Sequence, residues 1–211
     1  MENELNLRDE QMNFIKEYLK AMKGFSKETY NHIIDVSQLA LSMAENAGLG
    51  ATETKELYIG ALLHDIGKLQ IPSEVLHKPK LTNEEFDLIK THSQKGYDVL
   101  GNLFNENIKN LVINHHEKPN GKGYPRGLTN DQLSESDKIL AVCDVTSALQ
   151  LPRCYKEGMP ADKIAEILTE SAEKGDLDAK YVNLMINTYL NPLIEKQNQE
   201  KEEQYVLKLT R

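Results

Sequence analysis

The chain has 211 residues, of which 39% are hydrophobic, and it carries 33 acidic against 25 basic side chains for a net charge of -8. This size suits one folded domain, and so acidic a chain is a poor candidate for wrapping duplex nucleic acid or lying on an anionic membrane. No apolar run approaches the roughly eighteen residues of a membrane span, and the acidic first residues, MENE, differ from a secretory signal. The two cysteines, Cys143 and Cys154, are not spaced as a zinc pair, so we expect a reducing, cytoplasmic setting.

Apolar residues recur with helical spacing through almost the whole chain, whereas strand signals are weak. The sequence therefore predicts an all-α fold. The first helix is predicted over residues 8–22 and ended by Gly24. The second begins after Ser26 as its N-cap, and the third covers residues 52–65 and is stopped by Gly67.

A capping box, formed by Thr82 and Glu85, opens the next predicted helix, which continues through His92. Glycine and proline cluster over residues 119–127, which predicts a loop. Strand signals stay weak on either side of this loop. The remaining helices are predicted around residues 108–116, after Ser134, over residues 161–174 and over residues 178–190.

Five of the six histidines fall on the core-facing side of a predicted helix, together with two aspartates. A single buried imidazole is usually explained by a hydrogen bond to a carbonyl group. Several buried ionisable side chains without a metal would each cost several kcal/mol of desolvation. A divalent cation removes this cost, because it binds neutral imidazoles and ionised carboxylates together. These predicted metal ligands are His32, His64, Asp65, His92, His115, His116 and Asp144.

Two pairs of these residues are adjacent in sequence, His64 with Asp65 and His115 with His116. Adjacent ligands at a helix end diverge, so they suit a centre with several metal ions better than one tetrahedral zinc ion. Glu28 precedes His32 by one helical turn and is a candidate ligand of a further ion. An acidic residue in the first turn of a helix also complements the helix dipole without any metal, and both interpretations stay open.

The ordered motifs resemble the HD-GYP branch of the HD phosphohydrolases. The first is HDIGK at residues 64–68, followed by IP at 71–72, by KP at 78–79 and by LTNEE at 81–85. The second is KTH at residues 90–92 with Gly96, and the third is HHEKPNGKGYP at residues 115–125. The series continues with Asp144, Arg153, Tyr155 and Lys156, whereas Cys154 stands where the family has a proline. The resemblance covers about residues 26–190.

This resemblance implies an all-helical HD-domain bundle with the HD-GYP extension over residues 26–194. It leaves an accessory helix in residues 1–25 and a charged helix or tail in residues 195–211. It also implies hydrolysis of cyclic di-GMP to pGpG or GMP with two or three divalent ions. The expected metal is iron or manganese, and zinc and nickel are the alternatives. By position, Glu28 and His32 match the pair found in members with a third metal. The other six match the family's metal ligands, namely His64, Asp65, His92, His115, His116 and Asp144.

The resemblance also assigns residues to the reaction. Asp65 is expected to bridge two metals and orient the attacking water. Lys68 matches a lysine near the scissile phosphate, although a lysine facing water at a helix end is its ordinary alternative. The predicted substrate contacts are Lys68, Gly123, Tyr124, Arg153 and Lys156.

The sequence departs from the family pattern at several positions. Asn120 stands where aspartate is usual, and Ser147 replaces a second aspartate after Asp144. Neither residue is a predicted metal ligand, but outer hydrogen bonds tune metal affinity and loop geometry, so both replacements bear on activity. The alternatives are hydrolysis of another cyclic dinucleotide or nucleotide, and a cyclic-dinucleotide sensor without turnover. Protein partners are expected to supply sensory input, whereas no nucleic acid and no membrane is expected.

Overall fold

The computed structural model describes residues 7–152 and 157–199, and in these ranges it contains helices but no named strand. The all-α prediction is therefore confirmed. A 3-10 helix, Ile66–Gln70, follows the third α-helix, and a π-helical segment, Ile186–Leu190, follows the tenth. The α-helices are α1 (Asp9–Phe25), α2 (Lys27–Ala47), α3 (Ala51–Leu63), α4 (Ser73–Leu76), α5 (Asn83–Lys90), α6 (His92–Leu100), α7 (Glu106–Asn114), α8 (Glu135–Gln150), α9 (Ala161–Glu173) and α10 (Ala179–Met185).

The predicted helix starts agree with the observed caps. The Ser26 hydroxyl accepts the Thr29 N–H at 3.1 Å and begins α2. Thr82 and Glu85 form the predicted capping box of α5, with bonds of 3.3 and 2.9 Å. The prediction that Gly24 ends the first helix is wrong, because α1 continues through Gly24 and its C-cap is Ser26.

The helices pack around two groups of buried apolar side chains. The first group joins α2, α3 and α8 to α9 and α10. The second joins α1 to α2, α3, α6 and α7, and Tyr18 and Met22 of α1 are both buried in it. The division into an accessory helix over residues 1–25, a domain over 26–194 and a tail over 195–211 stays a prediction. No helix in the described ranges is long and apolar enough to cross a membrane.

Gly67 has a different role from the one predicted. The third helix already ends at Leu63, and Gly67 lies inside the 3-10 helix that follows. A Cβ atom on Gly67 would lie 2.0 Å from the carbonyl oxygen of His92, so only glycine lets this turn approach α6. The close approach brings the turn that carries Asp65 and Lys68 against the start of α6.

Candidate metal centre

The predicted ligands lie mostly at helix ends. His32 and Asp144 lie inside α2 and α8, as predicted. The helix predicted to continue through His92 is instead two helices, since α5 ends at Lys90 and His92 is the first residue of α6. His64 and His115 are the C-caps of α3 and α7, and Asp65 and His116 follow them directly.

Burial of these side chains agrees with the sequence prediction, apart from His116. His64 and His92 are 0% exposed and Asp65 is 1% exposed. His32, His115 and Asp144 are also buried. The His116 side chain is 28% exposed, because it faces the adjoining cavity described below.

The structure brings six of the predicted ligands into two compact groups. In each group, one potential donor atom from every residue lies within 4.8 Å of the others. The groups are His92, His115 and His116, and His32, His64 and Asp144. Each group therefore has the spacing to hold one metal ion, in agreement with the prediction of more than one ion.

Two carboxylates connect these groups. Asp65 Oδ2 lies 3.3 Å from His64 Nε2, and Asp65 Oδ1 lies 3.5 Å from His92 Nε2. Asp144 Oδ1 lies 2.9 Å from His32 Nε2, and Asp144 Oδ2 lies 3.8 Å from His116 Nδ1. Each carboxylate thus presents one oxygen to each group, which is the arrangement that a ligand shared by two ions requires.

Backbone carbonyls orient three of the imidazoles. His64 Nδ1 lies 2.7 Å from the Ala61 oxygen, and His92 and His115 make the same contact with the carbonyl oxygens three residues earlier in the chain. A carbonyl oxygen can only accept, so Nδ1 carries the proton and Nε2 presents its lone pair to the interior. Metal-binding histidines are typically held in this way.

The donor atoms fit a cation better than they fit each other. His92 Nε2 and His115 Nε2 lie 3.1 Å apart, and both present lone pairs. The buried His64 Nε2 has no hydrogen-bond partner among the described residues. A buried polar atom without a partner is costly, and one cation in each ligand group would satisfy these three nitrogens. The residues present therefore fit a divalent metal.

The protonation states suit the same interpretation. Burial lowers the pKa of His92 to about 3 and that of His116 to about 4. Burial opposes ionisation of Asp65, yet Lys68 and His64 hold its pKa well below the ordinary value. Burial would likewise raise the pKa of Asp144, but His32 holds it low. His92 and His116 are thus neutral imidazoles beside ionised carboxylates, which are the forms that bind metals. Burial also opposes protonation of His64, but the charge of Asp65 outweighs it and raises the pKa of His64, so a metal ion bound there would replace a proton.

Lys68 and Glu28 lie beside this centre. Lys68 Nζ donates to Asp65 Oδ2 at 2.7 Å, so its ammonium group faces the ligands rather than bulk water. Glu28 is half-buried in the first turn of α2 and lines a small cavity with His32 and Lys68. It belongs to neither of the two ligand groups. Its role as a metal ligand stays a prediction.

Of the predicted substrate contacts, Tyr124 lies next to the centre. Its ring packs against His116 with centroids 4.8 Å apart. Gly123 has another reason to be glycine, since a Cβ there would lie 2.4 Å from the Cα of Glu117. Gly123 thus allows a close approach between two segments of the chain, and not between the chain and a ligand. Arg153 and Lys156 lie outside the described residues.

A cavity of about 170 Å³ adjoins the centre, and His116, Tyr124 and Asp144 line one side of it. Ser171 and Asp176, from the α9–α10 region, line the other side. This wall cannot be predicted from the sequence, because nothing in the spacing of α9 marks it as facing the histidines.

Asn120 and Ser147, which both depart from the family pattern, each make specific hydrogen bonds. Ser147 Oγ lies 2.9 Å from His32 Nδ1, and a hydroxyl can donate to or accept from that nitrogen. The Asn120 amide donates to Asp176 Oδ1 at 2.8 Å and to the Lys174 carbonyl at 3.1 Å. Ser147 therefore orients a candidate ligand, and Asn120 fixes the loop to the turn after α9.

Comparison with known proteins decides the family. The HD domain family model matches residues 3–181. The chain belongs to the HD domain family. This confirms the prediction from the motifs, which identified an HD phosphohydrolase of the HD-GYP type. The family match includes α1 and every residue of the two ligand groups.

Curated relatives of this HD domain protein include a 3'3'-cGAMP-specific phosphodiesterase of Vibrio cholerae, 34% identical over 163 residues. A cyclic di-GMP phosphodiesterase of Pseudomonas aeruginosa is 38% identical over 160 residues. The matches cover 76% and 74% of this chain but only 38% and 37% of the relatives. The chain thus spans a little over a third of the length of these relatives.

Solved structures agree in fold. An HDGYP protein of Bdellovibrio bacteriovorus superposes with a TM-score of 0.61 at 24% identity, over 78% of this chain and 51% of that one. The HD domain of the Listeria monocytogenes phosphodiesterase PgpH, in complex with cyclic di-AMP, gives 0.62 at 19% identity over 87% and 96%. At these identities the likeness establishes the HD fold alone.

Proposed function

We propose that this chain is a metal-dependent phosphodiesterase that hydrolyses cyclic di-GMP to pGpG or GMP with two or three divalent ions. The observation that carries the proposal is the pair of ligand groups that share the carboxylates of Asp65 and Asp144. Imidazole and carboxylate ligands together suit iron, manganese or zinc better than calcium or magnesium. We expect iron or manganese.

Metal ions bound at these groups would polarise the phosphodiester and lower the pKa of the attacking water. The protein's part begins with Asp65, whose two oxygens face different groups and can orient that water. Lys68, bonded to Asp65, is within reach of the same site and can neutralise phosphoryl oxygens or protonate the leaving 3' oxygen.

The position of Tyr124 supports a contact between its side chain and the base or phosphate of the substrate. Its ring lies against His116 at the edge of the cavity. Burial raises the pKa of the Tyr124 phenol, and the charges of Asp144 and Asp65 raise it further, so the hydroxyl stays a donor. A protonated phenol can donate to a phosphate or stack on a base. Arg153 and Lys156 remain proposed contacts on sequence grounds.

A second candidate substrate is 3'3'-cGAMP, since the Vibrio cholerae relative at 34% identity is named for that activity. The metal chemistry would be the same for both substrates, because the scissile bond is the same phosphodiester. Recognition would differ at one base. A cytoplasmic location and protein partners that supply sensory input stay predictions.

The test uses protein purified without oxygen, with its metals quantified by mass spectrometry. Cyclic di-GMP, 3'3'-cGAMP and cyclic di-AMP are then followed by chromatography. We expect at least two ions per chain and conversion of cyclic di-GMP, both lost in Asp65→Ala. Asp98→Asn changes an exposed carboxylate of α6 and serves as the matched control.

Four outcomes would contradict parts of the proposal. Metal-replete protein that binds a cyclic dinucleotide without cleaving it would indicate a sensor. Cleavage of 3'3'-cGAMP alone would replace the substrate and keep the chemistry. Protein that takes up no metal would overturn the site as a whole. A Glu28→Ala variant with the same metal content as the parent would remove the case for Glu28 as a ligand.

A further inference from the structure

The side chain of Glu117 is a buried carboxylate directly after the candidate ligand His116, and it is only 2% exposed. Its Oε1 accepts the backbone N–H groups of Arg126 at 2.6 Å and Gly127 at 3.1 Å. Its Oε2 accepts the N–H of Leu128 at 2.9 Å. One carboxylate therefore satisfies three consecutive backbone donors.

The backbone at residues 126–128 is shaped to bind an anion. Gly127 has a φ of 66°, in the left-handed region that favours glycine. A residue in this conformation turns successive N–H groups to one side, which forms an anion-binding concavity. Here the anion is the protein's own Glu117. The interaction clips residue 117 to residues 126–128 and closes the intervening loop.

Tyr124 lies inside this closed loop. Its backbone N–H donates to the His116 carbonyl at 3.2 Å, and its ring lies 4.8 Å from the His116 ring. Gly123 packs directly on the backbone of Glu117. The path from residue 117 through Tyr124 to residue 128 is thus tied at both ends by one carboxylate. Hydrogen bonds to a charged acceptor are stronger than hydrogen bonds between two neutral groups.

We propose that Glu117 is a positioning residue that holds Tyr124 and the loop over the metal centre for ligand binding, without itself contacting metal or substrate. The inference rests on the proposed function in one respect, since the ligand in question is the cyclic dinucleotide. The clip itself is independent of which substrate is used.

Two variants weaken the clip from opposite sides. Glu117→Gln keeps the shape but replaces one acceptor oxygen with a donor that faces a backbone N–H. Gly127→Ala keeps the carboxylate but strains the φ of 66°, while its Cβ would come no closer than 3.4 Å to another residue. Gly48→Ala is the matched control, because Gly48 has a φ of 74° at the C-cap of α2, with nothing within 4 Å of its Cβ.

The readouts are amide hydrogen exchange over residues 117–128, metal content, and steady-state kinetics on cyclic di-GMP. In the parent, the amides of Arg126, Gly127 and Leu128 should be protected. In Glu117→Gln and Gly127→Ala we expect this protection to be lost, the metal content to be kept, and KM to rise at least about tenfold with a smaller change in kcat. Gly48→Ala should match the parent in all three.

Unchanged KM and unchanged exchange in both clip variants would overturn the proposal. Loss of metal along with the loop would also overturn it, because Glu117 would then act on the ligands themselves. If Glu117→Gln does not fold, the comparison of Gly127→Ala with its control Gly48→Ala is sufficient to test the proposal. A parent protein that neither binds nor cleaves cyclic di-GMP contradicts the proposed function instead, and the exchange data still decide whether Glu117 holds the loop.

Discussion

The Nε2 atoms of His92 and His115 lie 3.1 Å apart, although neither carries a proton for the other to accept. Both Nδ1 atoms donate to backbone carbonyls, of Ile89 and Val112, at 2.7 Å. Two lone pairs thus face each other in a buried site. A proton would relieve the contact, but burial lowers the pKa of His92 to about 3. A bound cation would supply the partner that both nitrogens lack at neutral pH.

Metal removal should therefore destabilise the folded protein. An ion that binds only the native state at a hundredfold excess over its Kd stabilises by about 2.7 kcal/mol. For a chain of this size, we expect chelation to lower Tm by about 5–10 °C, as measured by scanning fluorimetry, and added Mn²⁺ to restore it.

The variants His92→Ala and His77→Ala separate this effect from a general response to chelators. His92 is buried in the centre, whereas His77 is exposed at the end of α4. His77→Ala should keep the full response to chelation, and His92→Ala should lose most of it. Identical melting of the parent with and without chelator would contradict the metal centre.

Lys68 should contribute to turnover more than to folding. Its ammonium group donates to Asp65 Oδ2 at 2.7 Å, beside the place where negative charge would develop on the phosphate. Removal of a preorganised donor of this kind typically lowers kcat about 100- to 1,000-fold. We expect a loss in that range for Lys68→Met in a cyclic di-GMP assay.

Lys95→Met is the matched control for Lys68→Met. Lys95 lies on α6 near the same turn, but its ammonium group donates to the exposed carbonyl of Gln70. It should keep kcat within about threefold of the parent. Equal activities of both variants would support the alternative that Lys68 is an ordinary lysine at a helix end.

The residue types of the centre could be predicted from sequence, because helical spacing puts them on core-facing positions. His32 and Asp144 follow this logic inside α2 and α8. His64, His92 and His115 do not lie in helix interiors, and their orientation depends on carbonyls at helix ends. Periodicity finds a buried face, but it does not say where a helix ends.

Long-range contacts were the part that the pattern could not predict. The helical pattern predicts Gly67 as a helix stop, whereas its missing Cβ makes room for the His92 carbonyl 25 residues later. Glu117 stood within the recognised motif without a role, because its three donors lie 9 to 11 residues further along a loop. The wall formed by Ser171 and Asp176 is likewise brought to the centre only by packing.

Ser147 should tune the metal affinity of the group that contains His32. Its hydroxyl lies 2.9 Å from His32 Nδ1, and the residue is fully buried. Loss of such an outer partner typically weakens metal binding about 10- to 100-fold. We expect Ser147→Ala to lose one ion in chelator competition while the ion at His92 and His115 is retained.

Thr146→Val is the control for Ser147→Ala. Thr146 is equally buried on α8, but its hydroxyl donates to the Val142 carbonyl within the helix and does not reach His32. Its metal content should equal that of the parent. If both variants lose the same ion, the effect would belong to α8 packing and not to the orientation of His32.

Asn120 should be required for full stability because it donates to Asp176, although aspartate is usual at position 120 in the family. Its amide donates to Asp176 Oδ1 at 2.8 Å, and this bond holds the pKa of Asp176 below its ordinary value. Asn120→Asp would set two carboxylates against each other. We expect a loss of about 1 kcal/mol and a Tm lower by about 2–4 °C at pH 7.

The double variant Asn120→Asp/Asp176→Asn tests whether this contact is the cause, because it restores an amide opposite a carboxylate. Scanning fluorimetry should return its Tm close to that of the parent. In the single variant, repulsion raises the pKa of one carboxyl, so the destabilisation is present above that pKa and should shrink as the pH falls toward about 4. A pH-independent loss that the second substitution does not repair would mean that Asn120 acts through the Lys174 carbonyl instead.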